Sequence, residues 1–261
     1  MGKQLHWQNN WAPLARAARQ MKWVKEIDLR IPSSYPSGVL SMIENRPPWE
    51  EIFGKAKHGH LPDVRKGIEA SLLEGRELVE QGIASENADV LDLGCGNGRQ
   101  LIGLVDTGIR SYTGLDPIKK CIKFCNRELA SRIPNTQFVH LDVRNRMYNP
   151  KGRMLPEEVV LPFENNSFDS VITGSVFTHL GTRMVSERYL EEIARVLKPS
   201  GKLFSSWFRN PPYEISAEES RTVFAEGDIQ KMISKHFETY YSRGGSSGEW
   251  WDQWCLCSRL R

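Results

Sequence analysis

A chain of 261 residues has room for one large or two small domains. Hydrophobic residues make up 39% and charged residues 26%, near the globular norm, which excludes a disordered, collagen-like or coiled-coil chain. With 35 Lys and Arg against 32 Asp and Glu the formal charge is +3, too small to indicate a nucleic-acid protein by itself. No stretch approaches the ~20 apolar residues of a membrane span, so no membrane partner is expected. Residues 1–20 hold no apolar run of the secretory type, and His6 stands where a myristoylation signal after Gly2 wants Ser or Thr. Five cysteines, an odd number without metal-ligand spacing, read as small hydrophobes in a reducing compartment. The expectation is a soluble, cytoplasmic chain that holds no metal.

Along the chain, Trp11, Leu14, Ala18 and Met21 share one helical face, while Arg16, Arg19, Lys22 and Lys25 share another, and Pro13 suits the first turn. The reading is a helix packed on its own domain, against the alternative of a basic surface for membrane or nucleic acid. Residues 67–83 read as a further helix. From Asp89 the pattern changes. Val90-Leu91-Asp92-Leu93 is a strand, Gly94-Cys95-Gly96-Asn97-Gly98 a turn, and Arg99 to Val105 a helix. Ser111 to Leu115 is a second strand ending at Asp116, followed by a helix from Ile118 to Ile133 with Cys121, Ile122, Cys125 and Leu129 at helical spacing. Phe138 to Leu141 is a third strand ending at Asp142. An insertion, Asn145 to Phe163, precedes a fourth strand at Phe168 to Ile172. A helix from Arg188 to Leu197 stops at Pro199 and Gly201, and Lys202 to Phe208 is a fifth strand. After a helix at Asp228 to His236, two strand-like runs, Thr239 to Ser242 and Trp250 to Cys257, read as a hairpin at the sheet edge. Alternating strands and helices imply an α/β, doubly wound, mostly parallel sheet, and the segment without alternation divides the chain into 1–85, an N-terminal helical cap, and 86–261.

The glycine turn follows a strand and opens a helix, the place where backbone meets a ligand. The dinucleotide fingerprint needs a small residue at Arg99 and fails there, and the phosphate loop with Lys-Ser/Thr is absent. Asp116 ends the second strand at a spacing that suits a ribose held by two hydroxyls. Here the sequence resembles the class I S-adenosylmethionine-dependent methyltransferases, closest in flavour to bacterial small-molecule and glycan enzymes. Five blocks in order over residues 86–208 carry the resemblance: Val90 to Gly98; Gly114-Leu115-Asp116-Pro117; Asp142-Val143; Leu161-Pro162-Phe163 with Ser167-Phe168-Asp169-Ser170-Val171; and Arg195 to Gly201. A further run, Ser175-Val176-Phe177-Thr178-His179, follows the fourth strand. The resemblance implies a Rossmann-like, seven-stranded sheet with an antiparallel C-terminal hairpin strand, and S-adenosylmethionine as cofactor, leaving as S-adenosylhomocysteine. It also implies residue roles. Gly94, Gly96 and Gly98 would line the methionine and ribose portion, braced by Asp92. Asp116 would take the ribose hydroxyls with Ile118 beneath the adenine. Asp142 would accept from the adenine amino group and the Val143 N–H would reach a ring nitrogen. Backbone at Gly174 and Ser175 would approach the methionine.

Methyl transfer needs alignment, and a base where the acceptor must lose a proton. His179 follows the fourth strand at the ligand-binding edge and is the candidate catalytic base, the alternative being a packing or capping role; His58 and His60 are weaker candidates. Asp169 begins its strand, at the end away from ligands, and reads as structural. Asn210-Pro211-Pro212-Tyr213 spells a tetrapeptide of amino-methylating enzymes, but it follows the fifth strand rather than the fourth and reads as a loop. The function expected is methyl transfer to a small-molecule acceptor, an oxygen on a sugar or natural-product scaffold. The alternatives are an N-methyltransferase acting on nucleic acid or protein, and a non-catalytic cofactor-binding partner subunit. Acceptor choice is expected to live in residues 1–85, 145–163 and 210–225. The oligomeric state stays open, a homodimer included.

Overall fold

The computed structural model describes residues 64–209, 221–244 and 253–261. The expected helix around Trp11, the histidines at 58 and 60, the Asn-Pro-Pro-Tyr loop and the hairpin tip at 245–248 lie outside them.

Helix α1 (Val64–Glu80) leads into β1 (Asp89–Leu93), α2 (Arg99–Leu104), β2 (Ser111–Asp116), α3 (Lys119–Cys125, continued by one widened turn, Asn126–Ala130) and β3 (Thr136–His140). Then come β4 (Phe168–Thr173), α4 (Arg183–Val196), β5 (Leu197–Arg209), the short β6 (Val223–Phe224), α5 (Glu226–Ile233), β7 (Phe237–Arg243) and β8 (Trp254–Leu260). The sheet order is β3-β2-β1-β4-β5-β8-β7, with β6 pairing only to β5. Strands β1 to β5 are parallel; β8 lies antiparallel between β5 and β7. The Rossmann-like order and the C-terminal hairpin match the sequence expectation, and β6 is an addition to it.

Side-chain alternation along each strand divides the core in two. Leu91, Val171, Leu203 and Leu256 join α4 and α5 on one face. Val90, Ile172, Phe204, Cys255 and Cys257 face the other way, toward α1, α2 and α3. All five cysteines are buried and free, so their hydrophobic reading stands. Within the region read as a cap, α1 is part of this core: Leu78 and Ile83 are fully buried against β1 and α2. A Cβ on Gly103 would lie 2.1 Å from the Ser71 carbonyl oxygen, and one on Gly75 2.1 Å from that of Gly103. The two helix backbones touch there, which only glycine permits.

Helix α4 begins five residues before the expected Arg188 because Thr182 caps it, its hydroxyl accepting the Val185 N–H at 3.3 Å. The insertion is anchored to this helix. Arg195 donates to the carbonyls of Leu161 and Phe163 at 2.9 and 2.8 Å, and Glu192 accepts the Leu161 N–H at 2.8 Å. At the sheet end away from the glycine turn, Lys198 bridges Asp89 and Asp169 at 2.9 and 2.8 Å, which gives Asp169 a structural partner set.

Candidate active site

The carboxyl ends of β1, β2 and β4 open onto one cavity of about 730 Å³. Gly94, Gly96, Asp116, Ile118, Val143, Gly174, Ser175 and His179 line it, bringing together most of the residues that the sequence singles out.

The glycine turn is organised by Asp116. One carboxylate oxygen accepts the Gly96 N–H at 2.8 Å and the other the Ile118 N–H at 2.7 Å. The side chain that ends β2 therefore fixes both the loop after β1 and the start of α3. Each oxygen keeps a lone pair for a ligand hydroxyl. Burial pushes its carboxyl above the usual range, and the two backbone N–H groups oppose that rise. Gly96 has φ +53 and an open site where a Cβ would be, with no atom within 4 Å, so a ligand can approach the main chain there. Gln100, on the first turn of α2, has a buried carbonyl oxygen with no donor among the described residues. Its amide nitrogen lies 3.5 Å from where a Gly174 side chain would begin. Gln100 has no signal in the sequence motif and does not itself line the cavity.

Three expected residues lie outside this lining. Asp92 is buried on the α1 side of β1, hydrogen-bonded by the Tyr112 hydroxyl, and does not line the cavity. Its carboxyl is pushed up to about 7, first by burial, with Glu74 and Asp116 adding to the rise and Tyr112 opposing it. Gly98 caps α2 at φ 77, where a Cβ would meet Leu129 Cδ1 at 2.5 Å, so it serves packing rather than the lining. Asp142 is outside the lining as well: Arg153 and Asn149 take its two oxygens at 2.6 and 3.2 Å and hold its carboxyl below the usual range. Val143 lines the cavity, yet its N–H donates to the Leu141 carbonyl at 2.8 Å. Arg99, which breaks the dinucleotide pattern, points back to α1, to Ser71 at 3.1 Å and Glu74 at 3.6 Å.

After β4 the chain turns on Ser175 (φ 60), whose N–H is held by the Ser206 hydroxyl of β5 at 2.7 Å. The helical turn that follows, Phe177–His179, buries Phe177 and Thr178 and brings His179 to the cavity wall. Tyr148, from the insertion, lies edge-on to the His179 ring with centroids 5.3 Å apart. Tyr148 and Tyr189 also line the cavity, and burial raises both phenols above their ordinary range, so they stay neutral hydroxyls near neutrality. Among the described residues no group of His, Cys, Asp and Glu is arranged to hold a metal, and no helix is long and apolar enough to cross a membrane.

Residues 91–205 match the family model described as a methyltransferase domain. Among curated relatives, the chain is 27% identical over 177 residues to a demethylmenaquinone methyltransferase of Clavibacter sepedonicus, covering 66% of this chain and 63% of that one. It is 30% identical over 124 residues to a tRNA (guanine-N(7)-)-methyltransferase of Syntrophotalea carbinolica, covering 47% and 50%. The matches span 42%, 53% and 63% of the first three curated relatives, so they cover parts of those proteins. Solved structures share the fold. A SAM-dependent methyltransferase from Aquifex aeolicus aligns at TM-score 0.54 with 15% identity, over 85% of this chain and 98% of that one. The magnesium protoporphyrin IX methyltransferase of Synechocystis with bound SAH aligns at 0.56 with 17% identity, over 82% and 93%. Over residues 91–205 the chain is thus similar to methyltransferase domains, and its fold is that of solved SAM-dependent methyltransferases.

Proposed function

We propose that this chain transfers a methyl group from S-adenosylmethionine to an oxygen of a small-molecule acceptor, such as a sugar or natural-product scaffold, with His179 as the base. The observation that carries the reading is that His179 lines the same cavity as Gly94, Gly96 and Asp116. A proton acceptor thus shares one chamber with the cofactor loop. The cofactor supplies an electrophilic methyl on a good sulfur leaving group. The protein supplies the rest. Asp116 takes the ribose hydroxyls and Ile118 supports the adenine. Gly174 and Ser175 line the same chamber, where their backbone would approach the methionine portion. A ring nitrogen of His179 would take the acceptor's hydroxyl proton as the oxygen accepts the methyl that the cofactor would supply, with the sulfur as leaving group. The products are the methyl ether, S-adenosylhomocysteine and a protonated imidazole, which returns its proton to water.

Turnover with labelled cofactor and an acceptor panel tests it. His179→Ala is expected to lower the rate by about a hundredfold to ten-thousandfold while S-adenosylhomocysteine binds as before. Near-wild-type turnover by the variant at saturating cofactor would overturn the role. Recovery of most of the rate by His179→Gln would reduce it to orienting the acceptor.

A further inference from the structure

The cavity has a strongly one-sided charge. Arg144, Arg146 and Arg221 line it, against Asp116 as the acidic lining residue. These arginines arrive on two segments, and each segment is tied to the His179 turn. On one side the Asn145 amide donates to the His179 carbonyl at 3.1 Å, and its oxygen accepts the Met147 and Tyr148 N–H groups at 3.0 Å. The turn that carries Arg146 is thereby set against His179. On the other side the Thr222 N–H donates to the Thr178 carbonyl at 2.7 Å, and its hydroxyl accepts the Gly181 N–H at 2.6 Å. Arg221 is thereby held beside the same turn. Arg144 commits Nε to the Gly152 carbonyl at 3.1 Å, which orients the guanidinium and leaves four N–H donors on its terminal nitrogens. Among the described residues neither Arg144 nor Arg146 has a carboxylate partner, and the nearest in sequence, Asp142, is taken by Arg153 and Asn149.

A cationic rim fixed around the candidate base has an anion as its complement. We infer that the acceptor carries an oxyanion, a carboxylate or a phosphate, held by Arg144 and Arg146 with Arg221 flanking, while its hydroxyl faces His179. The inference rests on the methyl-transfer reading of this cavity. Guanidinium groups bind such oxyanions in a planar two-point grip that fixes orientation as well as charge. The cofactor's sulfonium adds a further positive charge, so an anionic acceptor is drawn in and a cationic one is rejected. A cavity of about 730 Å³ suits small ligands, and the whole-chain charge of only +3 agrees with that choice over a polynucleotide.

The test uses the full chain saturated with S-adenosylhomocysteine. Inorganic phosphate and succinate are each titrated at constant ionic strength, with chloride as reference, and the melting temperature is followed. One of the two is expected to raise it in the millimolar range, and which one acts separates phosphate from carboxylate. The apparent dissociation constant is expected to weaken at least fivefold in Arg146→Gln, an exposed position, and in Arg144→Gln, with each melt reporting that the variant is folded. No response to either anion beyond chloride would overturn the inference. So would an equal response in both variants, or tight binding of a tRNA that neither small anion displaces. Failure of S-adenosylhomocysteine itself to shift the melt would remove the methyl-transfer reading and this inference together; a cofactor shift without an anion shift removes this inference alone.

Discussion

Asp92→Asn isolates a single buried carboxyl whose protonation is linked to folding. Asp92 is 1% exposed, its carboxyl is pushed up to about 7 from 3.8, and its hydrogen bond comes from the neutral Tyr112 hydroxyl. A carboxyl whose pKa is raised by folding binds more protons in the native state than in the unfolded state between those two values. Stability therefore falls as pH rises from about 4 to about 7 and levels off above. Linkage then makes the contribution at pH 5 larger by roughly 3 kcal/mol than at pH 8, where almost none remains. Asparagine has nearly the same shape, still accepts from Tyr112 and cannot titrate. Its extra N–H donors carry their own cost of about 1–3 kcal/mol each if unmet, so absolute stability is the wrong observable. The difference between wild type and variant, taken as a function of pH, cancels that constant and every other titrating group. Urea unfolding at pH 5, 6, 7 and 8, followed by far-ultraviolet circular dichroism, measures it. The variant is expected to gain on wild type by roughly 2–3 kcal/mol from pH 5 to pH 8. Parallel curves across that range would show that Asp92 is ionised throughout and that burial does not govern its charge.

Asp116→Asn is expected to weaken S-adenosylhomocysteine binding at least tenfold by calorimetry. It is also expected to cost about 1.5–3 kcal/mol of stability, because an amide group replaces one of two oxygens that each accept a backbone N–H. Gly103→Ala places a methyl 2.1 Å from the Ser71 carbonyl, and a loss of about 1–3 kcal/mol or more in chemical denaturation is expected as α1 is pushed off α2.

The parallel half of the fold was legible because its signals are local. The strand, glycine turn and helix from Val90 to Leu104 form one continuous stretch, and Asp116 follows at the end of the next strand. Position in the lining was less legible. Asp92 and Asp142 are both motif carboxylates, yet alternation turns Asp92 toward Tyr112, and Arg153, eleven residues along the chain, draws Asp142 to itself. Such partners are set by packing and loop closure, not by spacing within the motif. Gln100 has no motif signal for the same reason: its oxygen, without a donor among the described residues, is buried where α2 meets the end of β4. The insertion at 145–163 was recognisable as an added segment before the fourth strand, but the placement of its arginines was not. Their meaning comes from Asn145 and Thr222, whose bonds to the His179 turn join segments far apart in the chain.

The turn after β4 links the two halves of the chemistry. A Cβ on Gly94 would meet Val176 Cγ2 at 2.4 Å, so the first glycine of the cofactor loop is in contact with the residue that follows Ser175. The left-handed conformation of Ser175, held by Ser206 from the neighbouring strand, puts Val176 there. Three residues later on the same turn comes His179, clamped by Asn145 on one side, with Thr222 fastening the flanking Thr178 and Gly181. Cofactor loop, candidate base and arginine-bearing segments are therefore fixed to one short piece of backbone. Rate enhancement by proximity falls steeply with misplacement of even about 1 Å. A turn in direct contact with the cofactor loop limits such drift without any single strong interaction, because each partner is set by packing against the others.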